Sequence, residues 1–248
     1  MPTQPPLLLL AGMAQSGRYW DRFRPWLDGF HLITPDNRET GEAGPCPEGF
    51  TIEDLAADAL AAVDRELGGA FTVVGHSMGG MIAQALAFEV PERIERLVLV
   101  STRPGRSHEV PIDPSVLAPP AGLTLPDDPA DAPRAIRAAY YEKYMAPGEA
   151  SRKIAREEAE RAHGNSAELE GLMRQIMAMS VWEPGAELRG LDTDIAVVHG
   201  DLDSLVPYGN GEIVARLAGV PLVTLHGVGH MVPWEAPDEL AEVIRGLQ

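Results

Sequence analysis

The stretch of sequence that decides the fold is FTVVGHSMGG, which occupies residues 71–80. Its first four residues form an apolar run, which is typical of a strand buried on both faces of a parallel sheet. Residues 75–79 fit the pattern Gly-x-Ser-x-Gly, and an apolar helical segment follows until Pro91. In such a strand–turn–helix context the pattern exposes a serine hydroxyl on a strained turn. The stretch therefore predicts Ser77 as a nucleophile. The alternative is a glycine-rich turn with a chance serine.

Further apolar runs of strand length lie on both sides of this stretch, and amphipathic helical segments separate them. One of these helical segments opens at Thr51 with Asp54 three residues later, which is a capping-box pattern. Strands that alternate with helices predict a parallel sheet with right-handed crossovers. The fold class predicted is α/β, with a mostly parallel sheet of about six strands flanked by helices. The predicted strands are 7–11, 31–34, 71–74, 97–101, 195–199 and 222–225.

The alternation breaks between residues 103 and 190. Prolines dominate as far as about residue 129, and three helical stretches follow at 133–145, 150–163 and 167–179. The last stretch places five apolar residues on one helical face. We therefore expect a core formed by 1–102 and 191–248, with 103–190 as a helical cap over the end of the sheet. The five residues of that face are Leu169, Leu172, Met173, Ile176 and Met177.

Charge and composition exclude several classes of protein. The chain has 37 acidic and 20 basic residues among 248, so its formal net charge of −17 argues against a nucleic-acid partner. No apolar stretch is long enough for a transmembrane helix, and the apolar run at 7–10 is too short for a signal peptide. The single cysteine, Cys46, excludes an intramolecular disulfide. We expect a cytoplasmic protein without a membrane partner, either a monomer or a small homo-oligomer.

A serine nucleophile needs a neighbouring base, and this motif predicts the chain order serine, acid, histidine. Two histidines, His226 and His230, occur late in the chain. His226 ends a predicted strand, whereas His230 lies in a glycine-rich loop, and a loop position favours His230 as the base. The two histidines are four residues apart, but glycines at 227 and 229 argue against a shared helical face. Because no third ligand is nearby, no metal site is expected.

The acid should follow the carboxyl end of a strand, where the ligands of an open α/β sheet bind. The predicted strand 195–199 is followed by Asp201 and Asp203, while Asp192 and Asp194 lie at its opposite end. Either Asp201 or Asp203 fits this requirement. The alternative is that one of them only shapes the turn.

These segments together resemble the α/β-hydrolase superfamily, particularly its small esterases, enol-lactonases and cofactor-free haloperoxidase-like perhydrolases. The likeness lies in VGHSMGGM at 74–81, in HGDLD at 199–203 with VP at 206–207, and in GVGH at 227–230 with Glu235 and Pro237. It covers 7–101 and 191–247 and leaves the cap segment unmatched.

The resemblance implies that Asp203 is the acid and that the backbone N–H groups of Met13 and Met78 form the oxyanion hole. It implies acyl transfer without a metal or organic cofactor. The chain departs from the family pattern at two points. Ala11 precedes Gly12 where relatives usually have a histidine that steadies the oxyanion loop. We also expect the family's leading hairpin to be absent before the first strand, which leaves six strands.

The substrate pocket should lie between Ser77 and the cap. Large apolar residues near it predict a small, largely apolar ester or lactone; the alternative is that they only pack cap against core. Arg18 and Arg103 lie near the same edge and are candidates for binding a carboxylate, such as that of an enol-lactone, or are solvated surface residues. The candidate pocket residues are Trp20, Met145, Met173, Met177 and Trp182.

The leading hypothesis is a serine hydrolase that cleaves a carboxylic ester or lactone. A second hypothesis keeps the same three residues for a biosynthetic, C–C bond or perhydrolase-type reaction, because one fold hosts many chemistries. A third is a non-catalytic ligand-binding protein, which the presence of Ser77, Asp203 and His230 argues against. Haloalkane dehalogenases and epoxide hydrolases of the superfamily normally have aspartate where Ser77 stands, so neither activity is expected here.

Overall fold

The computed structural model describes residues 4–162, 164–183 and 187–246. Six strands form one sheet in the order β2-β1-β3-β4-β5-β6, and every neighbouring pair is parallel. The predicted α/β fold with six parallel strands is therefore confirmed. The strands are β1 (Pro6–Leu10), β2 (His31–Ile33), β3 (Phe71–His76), β4 (Ile94–Val100), β5 (Asp194–Gly200) and β6 (Leu222–Leu225).

Helices cover both faces of the sheet. The α-helices are α1 (Ile52–Glu66), α2 (Met78–Glu89), α3 (Pro114–Leu117), α4 (Ala132–Tyr144), α5 (Glu149–Arg161), α6 (Leu169–Val181), α7 (Gly209–Ala218), α8 (Val232–Glu235) and α9 (Pro237–Ile244). Short 3₁₀ turns are Gly17–Trp20, Arg24–Leu27, Pro91–Arg93, Arg106–His108, Pro129–Asp131 and Glu187–Gly190. The predicted helix 150–163 ends two residues earlier, at Arg161, and residue 163 lies outside the described residues. Among the helices described here, none is both long and apolar enough to cross a membrane.

Strand β1 shows why the central strands are continuous apolar runs. Leu8 and Leu10 belong to the core on the side of α1 and α2, whereas Leu7 and Leu9 belong to the core on the side of α9. All four leucines are fully buried. Burying each side chain contributes about 1.5–3 kcal/mol, so both faces of the strand favour apolar residues and no polar alternation remains.

The parallel direction of the strands brings the chemistry to one edge of the sheet. Ser77 directly follows β3, Asp203 lies three residues after β5, and His230 lies in the loop after β6. The carboxyl ends of parallel strands share an edge, which is where ligands of open α/β sheets bind. Between β4 and β5 the described residues form α3 to α6, which are the helices predicted for that segment together with one extra turn.

Candidate active site

Ser77 lies on a strained turn between β3 and α2. Its backbone has φ 56° and ψ −119°, a combination that costs energy for any residue other than glycine. Its N–H donates to the Val100 carbonyl at 2.9 Å, and its own carbonyl accepts the Thr102 hydroxyl at 2.7 Å. A side chain at Gly75 would overlap the Gly79 backbone, so the glycines of the motif allow the strand and helix to approach. These contacts hold the turn in its strained conformation.

Met78 is the first residue of α2, and the first N–H groups of a helix have no partner within it. The N–H of Met78 is therefore available to an oxygen at the turn. The other predicted oxyanion donor, Met13, lies with Met78 and Ser77 in the wall of one cavity. The structure thus brings the predicted nucleophile and both predicted donors together.

His230 and Asp203 form a buried pair. His230 Nδ1 is 2.8 Å from Asp203 Oδ2, and Asp203 Oδ1 accepts the N–H groups of Leu205 and Val206 at 3.0 and 2.8 Å. Burial raises the pKa of Asp203, but the imidazoles of His230 and His199 outweigh burial and hold that pKa well below its ordinary value. An ionised carboxylate only accepts hydrogen bonds, so Nδ1 of His230 bears the proton and Nε2 is left as a base.

The other candidate acid, Asp201, contacts the other candidate base. Asp201 Oδ2 lies 2.9 Å from His226 Nδ1, and its Oδ1 accepts the Gly227 N–H at 2.7 Å. The His226 side chain is 84% exposed, whereas those of His230 and Asp203 are buried. The structure therefore separates the two alternatives that spacing left open: Asp203 reaches His230, whereas Asp201 shapes the turn beside His226.

The loop that contains His230, residues 226–231 and here called the histidine loop, is fixed from several sides. The His230 N–H donates to the Tyr144 carbonyl at the end of α4 at 2.7 Å, and His76 Nε2 donates to the His230 carbonyl at 2.8 Å. The rings of His76 and His230 lie 4.8 Å apart. Burial lowers the pKa of His76 to about 3, so its ring is neutral at physiological pH. Both backbone groups of His230 are thus engaged, which fixes the base relative to the sheet.

Glu235 fixes the residues on either side of His230. Its carboxylate accepts the N–H groups of Gly229 and Met231 at 3.0 Å each, and that of Ala146 at 2.7 Å. Burial raises the pKa of Glu235, although the three N–H groups oppose the shift. Glu235 therefore joins the histidine loop to the chain that follows α4. The sequence pattern includes Glu235 but does not predict this role.

The loop after β1, residues 11–16, contains Met13 and is here called the oxyanion loop. It is held without the histidine that the family resemblance leads us to expect. Ala14, with φ 61°, donates its N–H to Gln175 Oε1 at 2.7 Å. Gln175 is fully buried on α6, and its Nε2 donates to the Arg38 carbonyl at 2.9 Å. Asn37 Nδ2 donates to the Ala11 carbonyl at 3.1 Å. Sequence reasoning missed both supports because Gln175 lies 161 residues from Ala14 and no local pattern links them.

A cavity of about 290 Å³ opens beside Ser77. Its wall is mostly apolar and comes from the oxyanion loop, α2, α6 and the loop after β5. The volume lies near the lower end of the usual range for ligand pockets, which fits a small substrate. Its apolar lining includes Met13, Met78, Met81, Ile176, Met179 and Leu205.

The five predicted pocket residues lie outside the wall of this cavity. Trp20 and Trp182 are buried in the two cores on opposite faces of the sheet, where they pack rather than face a ligand. Met145 lines a separate cavity beside Leu202. Met173 and Met177 are 51% and 61% exposed on α6.

The orientation of α6 explains why its methionines were misplaced. The residues that α6 buries are Gly171, Gln175 and Ala178, not the apolar face that periodicity indicates. Gly171 packs directly against Glu39, where a side chain would overlap the carboxylate, and Gln175 gains two hydrogen bonds. Close approach and hydrogen bonding therefore outweigh apolar burial in setting the rotation of this helix.

The two arginines that are candidates for binding a carboxylate lie in different places relative to the cavity. Arg18 is exposed and lies outside the wall at Ser77, whereas Arg103 lines that wall but forms an ion pair with Glu109.

Within the described ranges, no group of three histidine, cysteine, aspartate or glutamate residues could hold a metal ion.

Comparison with known proteins identifies the family of the chain. The model of the Alpha/beta hydrolase family matches residues 7–243, including the segment 103–190 that the sequence resemblance left unmatched. A rhodomycin D methylesterase from Streptomyces peucetius is 29% identical over 98% of this chain and 90% of its own length.

Two solved structures have the same fold over nearly the whole chain. An esterase from Thermogutta terrifontis has a TM-score of 0.74 at 26% identity, covering 100% of this chain and 90% of its own. A hydrolase from Pseudomonas aeruginosa has a TM-score of 0.76 at 25% identity, covering 99% of this chain and 91% of its own. The chain therefore belongs to the alpha/beta hydrolase family and is an enzyme, a hydrolase.

Proposed function

We propose that the protein is a serine hydrolase that cleaves a carboxylic ester or lactone of a small, largely apolar substrate through an acyl-enzyme on Ser77. The observation that supports this most is the His230–Asp203 pair, buried at the same sheet edge as the strained turn of Ser77. A mostly apolar cavity opens at that serine. We also propose that 103–190 acts as a cap over a core formed by 1–102 and 191–248.

In the proposed mechanism His230 Nε2 takes the proton of the Ser77 hydroxyl as its oxygen attacks the substrate carbonyl. Asp203 keeps the Nδ1 proton in place and stabilises the imidazolium that forms. The N–H groups of Met13 and Met78 bind the oxyanion, and one such donor contributes about 3–4 kcal/mol to the transition state. His230 then protonates the leaving alcohol. In the second half-reaction it activates the water that releases the acid and frees Ser77.

Two similar proteins support ester chemistry. The full-length similarity to a methylesterase and to a thermophilic esterase supports a carboxylic ester as the substrate class. The apolar lining of the cavity supports an apolar acyl or alcohol group over a sugar. The substrate would be a small molecule, because the cavity holds only about 290 Å³.

Labelling with a small fluorophosphonate tests the proposal. Intact mass should show one adduct on the wild type and none on Ser77→Ala, because only an activated serine reacts. Ser107→Ala removes an exposed serine from the loop after β4 and should be labelled like the wild type. A panel of aryl esters and lactones then measures turnover.

Two outcomes would change the conclusion. No adduct on a folded wild type would contradict nucleophilic catalysis at Ser77. An adduct without turnover of any ester or lactone would instead favour a biosynthetic, C–C bond or perhydrolase-type reaction that uses the same residues.

A further inference from the structure

An ion pair forms part of the wall of the Ser77 cavity. Arg103 follows β4 by three residues, and Glu109 lies in the loop before α3. Arg103 Nη1 contacts Glu109 Oε2 directly, and the two side chains are only 25% and 19% exposed. Among the described residues that line the cavity, Arg103 is the basic one and Glu109 the acidic one. The charges of the wall therefore cancel.

Apart from Ser77, the other polar side chains of the wall are bonded to the protein itself. The Thr102 hydroxyl donates to the Ser77 carbonyl at 2.7 Å. The Asn210 amide accepts the Val110 N–H at 2.8 Å and donates to the Val110 carbonyl at 2.9 Å. Arg103 Nη2 also donates to the Met179 carbonyl, at 3.2 Å. A ligand that entered beyond Ser77 would therefore meet apolar surface and polar groups that already have partners.

We propose that the Arg103–Glu109 pair restricts this cavity to neutral, apolar substrate groups and excludes substrates that bear a carboxylate there. This inference rests on the proposed use of the cavity as the substrate site. A carboxylate that enters needs the Arg103 guanidinium as its partner, but Glu109 holds it. Because Glu109 is part of the same chain, its effective concentration at Arg103 exceeds that of a free ligand.

Displacing Glu109 would also be costly for the protein. Its carboxylate would lose its partner in a partly buried position, beside the negative charge of the ligand. A neutral ligand of the same shape displaces nothing and gains the apolar contacts. Specificity here comes from a charge that repels the wrong ligand as well as from contacts that fit the right one.

Removing the charge of Glu109 should reverse the preference. Glu109→Gln keeps the size of the side chain but leaves the guanidinium of Arg103 without its anionic partner at the cavity. The matched control is Glu183→Gln, because Glu183 accepts the Ser107 N–H in the same loop but does not line the cavity.

The test compares hexanoate with hexanamide, two ligands of equal shape that differ in charge. NMR titration of the full chain measures both dissociation constants and requires no turnover. We expect the wild type and Glu183→Gln to bind hexanamide at least tenfold more tightly than hexanoate. In Glu109→Gln the ratio of the hexanoate Kd to the hexanamide Kd should fall at least tenfold. An equal ratio in wild type and Glu109→Gln would overturn the proposal.

A second variant should change the ratio of the two dissociation constants in the opposite direction, and it provides the test if Glu109→Gln does not fold. Arg103→Met leaves Glu109 unpaired, so hexanoate should bind still more weakly relative to hexanamide. A ratio that stays the same or falls in Arg103→Met would overturn the proposal. Fluorophosphonate labelling at Ser77, measured separately, decides the proposed function, so either idea can fail alone.

Discussion

Replacing Gln175 on α6 should slow catalysis although this residue does not line the cavity. Gln175 Oε1 accepts the N–H of Ala14, and Nε2 donates to the carbonyl of Arg38, at 2.7 and 2.9 Å. Ala14 follows Met13, one of the two proposed oxyanion donors. Gln175→Met has a similar size but removes both hydrogen bonds, so it tests whether this contact positions the donor.

The magnitude follows from the groups left without partners. A buried N–H or carbonyl that loses its partner costs about 1–3 kcal/mol, and the two groups here are only part-buried. The free energy of unfolding should therefore fall by roughly 2–4 kcal/mol. Complete loss of one oxyanion donor costs about 3–4 kcal/mol in the transition state, and displacement of Met13 costs part of that. We therefore expect kcat to fall by about ten- to a hundredfold, with KM nearly unchanged, because the oxyanion forms only in the transition state.

The assay measures kcat and KM with an aryl ester, together with urea denaturation. Gln175→Glu retains an oxygen for the Ala14 N–H but loses the donor to Arg38, so its kcat should lie closer to that of the wild type. Met177→Ala removes a side chain that is 61% exposed on the same helix and should change stability by less than about 0.5 kcal/mol. A Gln175→Met enzyme with lower stability but wild-type kcat would show that the contact is only structural.

Three other predictions concern the histidine loop. Asp203→Asn should lower kcat by roughly 10⁴-fold in ester hydrolysis, because an amide no longer holds the required tautomer of His230; a fall of less than tenfold would contradict that role. Glu235→Ala strands three N–H groups and should lower the free energy of unfolding in urea by about 3 kcal/mol, whereas exposed Glu239→Ala should leave it within about 0.5 kcal/mol. Burial depresses the pKa of His76 from 6.5 to about 3, so below pH 6.5 the unfolded chain binds a proton that the folded chain does not. From this group, stability should fall by about 1.4 kcal/mol per pH unit as the pH decreases from about 6 to 4, and His76→Gln should show a correspondingly shallower slope in urea titrations.

Sequence alone predicts the features that depend on neighbours along the chain. The four central strands, β1, β3, β4 and β5, are largely apolar because both faces of the sheet are covered, and this leaves a local signal at each of them. Ser77, Asp203 and His230 follow strands, so a parallel topology brings them to one edge whatever the side chains do. Their catalytic roles stay predictions, although the contact between Asp203 and His230 is the one the family pattern implies.

The residues that sequence could not predict act across long separations. Gln175 and Asn210 gain their roles from partners 161 and 100 residues away, and no local periodicity marks either residue. Helix α6 shows the limit best, because its apolar periodicity indicates one face while hydrogen bonds of Gln175 bury another. Hydropathy measures the gain from apolar burial only, so it misplaced Met173 and Met177.

The hydrogen bonds that residues between β4 and β5 form with the active-site loops have a consequence for recombination of family members. The Tyr144 carbonyl and the Ala146 N–H anchor the histidine loop, and Gln175 anchors the oxyanion loop. A chimaera that receives a foreign segment here would keep Ser77, Asp203 and His230. It would keep the anchors only if the segment places its backbone where residues 144 and 146 lie and has a glutamine at position 175. Grafts intended to change selectivity should therefore retain the residues that end α4 and the glutamine of α6, and should vary the loop that contains Glu109 instead.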